Sequence, residues 1–134
     1  MKQHQVRPSG LPPVNGYSHV VVHEGRLVAV SGQVALDQGG NLVGPGDAAR
    51  QTEQVFRNMA TALAAAGSGL DRLVKLTVFL TDRNDLDAYR RVRDRHIDPE
   101  RPPASSLVLV AGLVHPGFLV EVDALADASP DHAP

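Results

Sequence analysis

Residues Pro102-Pro103-Ala104-Ser105-Ser106-Leu107-Val108-Leu109-Val110-Ala111, the turn Val114-His115-Pro116-Gly117 and the run Phe118-Leu119-Val120-Glu121-Val122-Asp123-Ala124-Leu125-Ala126 read as two strands joined by a turn, a buried hairpin. Pro and Gly punctuate the stretch where strands must stop. The first strand alternates Leu107, Leu109 and Ala111 against Val108 and Val110, so it is apolar on both faces. A strand of that kind is covered on both sides. The second carries Glu121 and Asp123 two positions apart, which puts both acids on one face. Carboxylates amid aliphatics are costly unless solvated or partnered. Two hydroxyls, Ser105 and Ser106, open the first strand, and this stretch is the first place to look for a site.

Composition sets the limits. A chain of 134 residues with 43% hydrophobic content favours one domain with one core. Aromatics make up 4%, and Trp is absent, so that core is aliphatic. The absence of cysteine excludes disulfides, thiol catalysis and thiolate metal sites. A net charge of -2 gives no electrostatic footprint for nucleic acid. No apolar run is long enough to span a bilayer, and the opening Met1-Lys2-Gln3-His4-Gln5-Val6 has no apolar signal region. Neither nucleic acid nor membrane is expected as a partner, and cytoplasm is the expected compartment.

Outward from the deciding stretch, residues 1–16 form an irregular lead-in with Pro8, Gly10, Pro12, Pro13 and Gly16. Tyr17–His23 reads as a strand, and Glu24-Gly25 turns it into Arg26–Val30 as a hairpin. Ser31-Gly32-Gln33 follows, its glycine marking a bulge or a close backbone approach. Val34–Leu36 and Asn41–Val43 suggest a second short hairpin. Asp47 caps a helix running to about Ala66, with the stripe Thr52, Val55, Phe56, Met59, Ala62, Leu63 and Ala66, and Gly67 ends it. In Val74–Thr81 the residues Val74, Leu76, Val78 and Leu80 share one face. Asn84 caps a second helix with an inner stripe of Leu86, Tyr89, Val92 and His96 or Ile97, stopped by Asp98-Pro99. The tail from residue 127 is small, polar and frayed. Two helices cover one face of the sheet, and the second face packs on another copy, which makes the chain an obligate oligomer.

Candidate chemistry is sparse. His19 and His23 share a strand face, but zinc needs three or four ligands and no spacing supplies the others, so they read as surface histidines and no metal is expected. His115 is a turn residue. Gly39-Gly40 and Gly44-Pro45-Gly46 lack the Lys-Ser/Thr of a phosphate loop. Ser31 and Ser105-Ser106 lack a nucleophile-elbow signature. Arg90, Arg91, Arg93 and Arg95 offer forks for an anion, or form a solvated face offset by Asp87, Asp94 and Asp98. Glu121 is either a general base that holds water or a structural acid facing solvent or a neighbouring subunit.

Tyr17-Ser18-His19-Val20-Val21, Val28-Ala29-Val30-Ser31-Gly32-Gln33, Gln51-Thr52-Glu53-Gln54-Val55 with Asn58, Lys75–Asp82, Pro102–Ser106 and Val120–Ala124 together resemble the Rid family (reactive intermediate deaminase, also called the YjgF or L-PSP endoribonuclease family). The resemblance runs from about Tyr17 to Ala126 within a single domain, 1–134, with 1–16 as lead-in and 127–134 as tail. It implies a chorismate-mutase-like α+β fold: a six-stranded mixed sheet with two helices on one face, assembled as a homotrimer with ligand clefts between subunits. Active members of the family hydrolyse short 2-imino or enamine acids without a cofactor. An arginine in a Pro-x-Arg-Ser motif clamps the substrate carboxylate, and a glutamate near the C-terminus positions the attacking water. Carried over, Tyr17, Ser31, Gly32 and Glu121 match the pattern, whereas Ser105, followed by Ser106, stands where the arginine belongs. The family's helix asparagine falls at Arg90, a second cation offered to the cleft. The resemblance implies an imine or enamine deaminase with an altered substrate, or a non-deaminating trimeric small-molecule binder or chaperone-like homologue. Ribonuclease activity, which the family name suggests, finds little support in an aromatic-poor, slightly acidic chain.

Overall fold

Asp47 sits in extended backbone and its Oδ1 accepts the Arg50 N–H at 3.1 Å, which opens helix α1, Ala48–Ala65. Gly67, at φ +74°, closes it, with Ser68 N–H donating to the Leu63 carbonyl at 2.9 Å. Both ends fall where their residue types place them. The computed structural model describes residues 2–130. Its strands are β1 (Lys2–Gln5), β2 (Val20–His23), β3 (Leu27–Gln33), β4 (Leu73–Leu80), β5 (Ala104–Leu109) and β6 (Val120–Asp127), and the second helix is α2 (Leu86–Arg93). Single 3-10 turns, Leu70–Arg72 and Arg83–Asp85, precede β4 and α2.

The six strands form two sheets, a β1-β2 ribbon and a mixed four-stranded sheet in the order β3-β6-β4-β5. The expected single six-stranded sheet is therefore divided. The hairpin expected from the deciding stretch is also corrected: β4 lies between β5 and β6, parallel to the first and antiparallel to the second. Both connecting ends bond to the same end of β4, Val110 N–H to the Leu80 carbonyl and Thr81 N–H to the Leu119 carbonyl. The loop between β5 and β6 is long enough to step across one strand, so the two strands run in opposite directions, as in a hairpin, without touching. Likewise β2 pairs with β1 and β3 with β6, so the Glu24-Gly25 turn links two sheets rather than one hairpin. The lead-in is not irregular throughout, since Lys2–Gln5 is a strand. The short hairpin at 34–43 is present as an antiparallel bridge between Leu36 and Leu42.

Both helices lie on one face of the four-stranded sheet. Val55, Phe56, Met59 and Leu63 of α1 pack on Val78, Leu80, Val120 and Val122, with Tyr89 of α2 beside them. Each such aliphatic or aromatic burial contributes about 1.5–3 kcal/mol. A bulge between Leu73 and Lys75 puts Leu73, not Val74, on the core face of β4. Asp82 caps the 3-10 turn before α2, its Oδ1 accepting the Asn84 N–H at 2.9 Å, whereas Asp85, the residue before α2, makes no side-chain capping bond, so the expected Asn84 cap is corrected; the helix ends at Arg93, before Asp98-Pro99. The open face of β5 is not covered by the chain itself, since Val108 there is 45% exposed, while Leu109, on the helix side with Leu107, is 44% exposed at the strand end. At the other terminus Asp127 and Ala128 are buried and Ser129 is hydrogen bonded, so fraying does not begin at residue 127, and residues 131–134 lie outside the described residues.

Candidate functional site

On β6 the side chains alternate strictly. Val120, Val122, Ala124 and Ala126 go to the helices, while Glu121, Asp123 and Leu125 go to the open face. The shared face expected for the two acids is found. Phe79 of β4 lies opposite Glu121 and Thr77 opposite Asp123. A register shift between Val30 and Gln33 bulges Ser31 and Gly32 out of β3. Glu121 leans over that bulge, and a Cβ on Gly32 would collide with its Oε2. The glycine predicted to permit a close approach therefore admits the Glu121 carboxylate, which takes no hydrogen bond or ion pair among the described residues. Beside it runs a groove of about 360 Å³ lined by Ser31, Gly32, Lys75, Thr77 and Asp123. Lys75 Nζ donates to Ser106 Oγ at 3.1 Å, which places Ser106 on this open face too.

A second set of candidates gathers where β5 begins. Ser18 N–H donates to the Pro103 carbonyl at 2.9 Å and Ser18 Oγ to the Pro102 carbonyl at 2.6 Å, so Tyr17 is held beside that strand start. The Tyr17 ring meets His19 edge-on with centroids 5.6 Å apart. Ser105 registers with Leu76, a core residue, and so shares the helix side with Leu107. Arg90 is half-buried on α2, also in the helix layer. Glu121, Ser31, Gly32 and Ser106 thus occupy one side of the sheet, and Ser105 and Arg90 the other. One chain does not bring the two sets together.

The remaining expectations resolve into structural roles. His19 Nε2 pairs with the Pro12 carbonyl at 2.8 Å and His23 Nε2 with Asp127 Oδ1 at 3.2 Å, so the two histidines serve different partners. Among the described residues no three His, Cys, Asp or Glu side chains group as metal ligands. His115 Nδ1 accepts the Gly117 N–H at 2.9 Å within its turn. Burial pushes the Asp127 carboxyl up, but hydrogen bonds from Ser129, His23 and Arg72 outweigh it and hold the group well below the usual carboxylate range. Asn58 donates to the Val34 and Leu36 carbonyls at 3.1 and 2.8 Å and so shapes a second groove of about 680 Å³, which includes Gly32, Gln54 and Arg57.

Two residues escaped the sequence reading. Gln51 is fully buried and ties three loops, donating to the Gly44 and Gly117 carbonyls and accepting the Leu119 N–H. Arg93, in a cluster that the sequence reads as either an anion fork or a solvated face, is 7% exposed and bonds Asn15 and Asp94. The available signal was its i+4 spacing from Tyr89 on the inner stripe.

Against this geometry stand the comparisons. The family model described as Endoribonuclease L-PSP matches residues 8–128. A RutC family protein of Synechocystis is 38% identical over 115 residues, covering 85% of this chain and 87% of its own. A rat protein named 2-iminobutanoate/2-iminopropanoate deaminase is 28% identical over 117 residues, covering 87% and 83%. A solved structure from Yersinia pestis, titled a protein of unknown function of the conserved Rid protein family, superposes with a TM-score of 0.86 at 30% identity, covering 94% and 98%. No described helix is long and apolar enough to cross a membrane.

Proposed function

This chain belongs to the Endoribonuclease L-PSP family, also called the Rid family, and we propose that it hydrolyses a small 2-imino or enamine acid to the 2-oxo acid and ammonia. The carrying observation is Glu121: a half-buried carboxylate, unpaired among the described residues and seated against a glycine that leaves room in front of it. A carboxylate so placed accepts a hydrogen bond from water and takes its proton as the water oxygen attacks the imine carbon. Glu121 returns that proton to the nitrogen to give the neutral carbinolamine; its hydroxyl proton then passes to the nitrogen through the same carboxylate, the C–N bond breaks with the electron pair leaving on nitrogen, and ammonia departs as the carbonyl forms. No cofactor takes part in this reading. The named activity of the rat relative supports it.

Two copies complete the site. In the proposal Glu121, Ser31 and Gly32 of one subunit face Tyr17, Ser105 and Arg90 of the next across the clefts of a homotrimer in the cytoplasm. The uncovered Val108 of β5 supports association through the open face of the sheet. Ser105 favours a second reading. A neutral hydroxyl stands where the family places a cationic clamp, and a hydrogen bond to a charged carboxylate is worth about 1.5–3 kcal/mol. The alternative is a trimeric binder of small molecules that does not deaminate.

The test is release of 2-oxo acid and ammonia from freshly generated 2-iminopropanoate and 2-iminobutanoate, above the spontaneous rate. Wild type, Glu121→Gln and Ser105→Arg are run together. Activity in wild type that is lost in Glu121→Gln supports the hydrolase. A silent wild type that gains activity on Ser105→Arg selects the binder, and silence in all three sinks deamination of 2-imino acids.

A further inference from the structure

The Arg93 guanidinium is buried in the helix layer, on the side of the sheet opposite Glu121. Its Nε and Nη2 both donate to Asp94 Oδ1, at 3.0 and 2.9 Å, and Nη1 and Nη2 donate to the Asn15 carbonyl and Asn15 Oδ1, at 3.2 and 3.0 Å. Gly16, at φ +71°, makes room for it, since a Cβ there would collide with the guanidinium. The fork opens on a cavity of about 400 Å³ whose apolar wall is Val14, Ile97 and Pro99. Under the fork lies Tyr89, its ring centroid 5.9 Å from Arg93 Cζ. The Tyr89 hydroxyl is buried, in a residue 1% exposed, and has no hydrogen-bond partner among the described residues.

Asp94 shows which chemistry the fork accepts. It is already a carboxylate on the guanidinium, but bound through one oxygen, and its side chain is 64% exposed. An exposed aspartate swings into water with little loss. A free carboxylate has both oxygens to offer and fits the fork better. We propose that this cavity is a binding site for a small organic carboxylate with an aliphatic body, which displaces Asp94 from Arg93 and lays its carbon chain on Val14, Ile97 and Pro99. The site adjoins Tyr17 through Asn15-Gly16 and is independent of the Glu121 chemistry, so it stands or falls separately from the deaminase reading.

Calorimetric titration with 4-methyl-2-oxopentanoate tests it, with the uncharged 4-methylpentan-2-one as control. Wild type binds the acid and not the ketone. Arg93→Lys keeps the charge but loses the fork, and weakens binding roughly tenfold or more. Asp94→Asn removes the competing carboxylate while the Arg93–Asn15 tie remains, and tightens binding several-fold. Should Arg93→Lys fail to fold, Asp94→Asn still decides. No binding by either wild type or Asp94→Asn overturns the proposal. So does affinity unchanged or weakened in Asp94→Asn, or affinity lost in Glu121→Gln, which would place the carboxylate on the open face.

Discussion

Replacing Gly32 with alanine separates the fold from the chemistry. The added methyl would meet Glu121 Oε2 well inside contact distance, and an ordinary contact begins at about 3.4 Å, so the carboxylate must retreat by about 1 Å. The obstacle is the far end of a flexible side chain on a half-buried face, and Gly32 does not adopt a left-handed backbone. Stability should therefore change by less than about 1 kcal/mol. Catalysis should not tolerate the shift: a misplacement of about 1 Å costs on the order of 10²-fold in rate, about 2.7 kcal/mol of barrier. Initial rates of 2-oxo acid release from 2-iminobutanoate, beside a thermal melt of the same sample, give both numbers. In a Glu121→Gln background the Gly32→Ala change should add almost nothing, because the two act on one group. Full activity in Gly32→Ala, or the same rate loss with and without Glu121, would refute the placement of the water by this carboxylate.

Gln51→Leu should destabilise by about 3 kcal/mol, since it leaves the half-buried Leu119 N–H without an acceptor and two carbonyls without donors, and chemical denaturation reads it. Gly67→Ala, with open space around it but φ at +74°, should cost about 1 kcal/mol and lower Tm by about 4 °C, and a shift under 1 °C would remove strain as its cause. For Asp127→Asn the sign follows from a carboxyl held below its unfolded value. Its contribution is fully present above about pH 5 and fades progressively from about pH 4 downward, toward the depressed folded value, so wild type and variant should differ most at neutral pH and the gap should be narrower, though not closed, at about pH 3. Equal differences across that range in urea titrations would contradict the hydrogen-bonded anion.

Side-chain alternation made much of this molecule legible and partner choice did not. The Asp47 cap, the α1 stripe, the Gly67 stop and the common face of Glu121 and Asp123 all depend on local spacing, which a sequence displays. Pairing is non-local. The pattern in β5 and β6 fixed which face each residue takes and left open whether β4 lay between them. The same holds for the site. Gly32 beside Ser31 suggested a close approach, but only the β3–β6 register shows that Glu121 is what approaches. Arg93 was hidden because a charged residue on a short helix is ordinarily solvated, and what buries it is a loop at Asn15-Gly16 far away in sequence.

One of the two central strands of the sheet, β6, is also the last of the described strands to be synthesised. β6 separates β3 from β4, and Leu27 near the start finds its partner only at Asp127. During synthesis α1 first meets only β3, with Val28 and Val30, because Val120, Val122, Ala124 and Ala126, the rest of its floor, are made later. Closure then joins the distant halves at once, a late step typical of non-local topologies. Because that strand brings Glu121 with it, a nascent or prematurely ended chain holds neither a finished core nor the carboxylate. Folding and competence arrive in the same event.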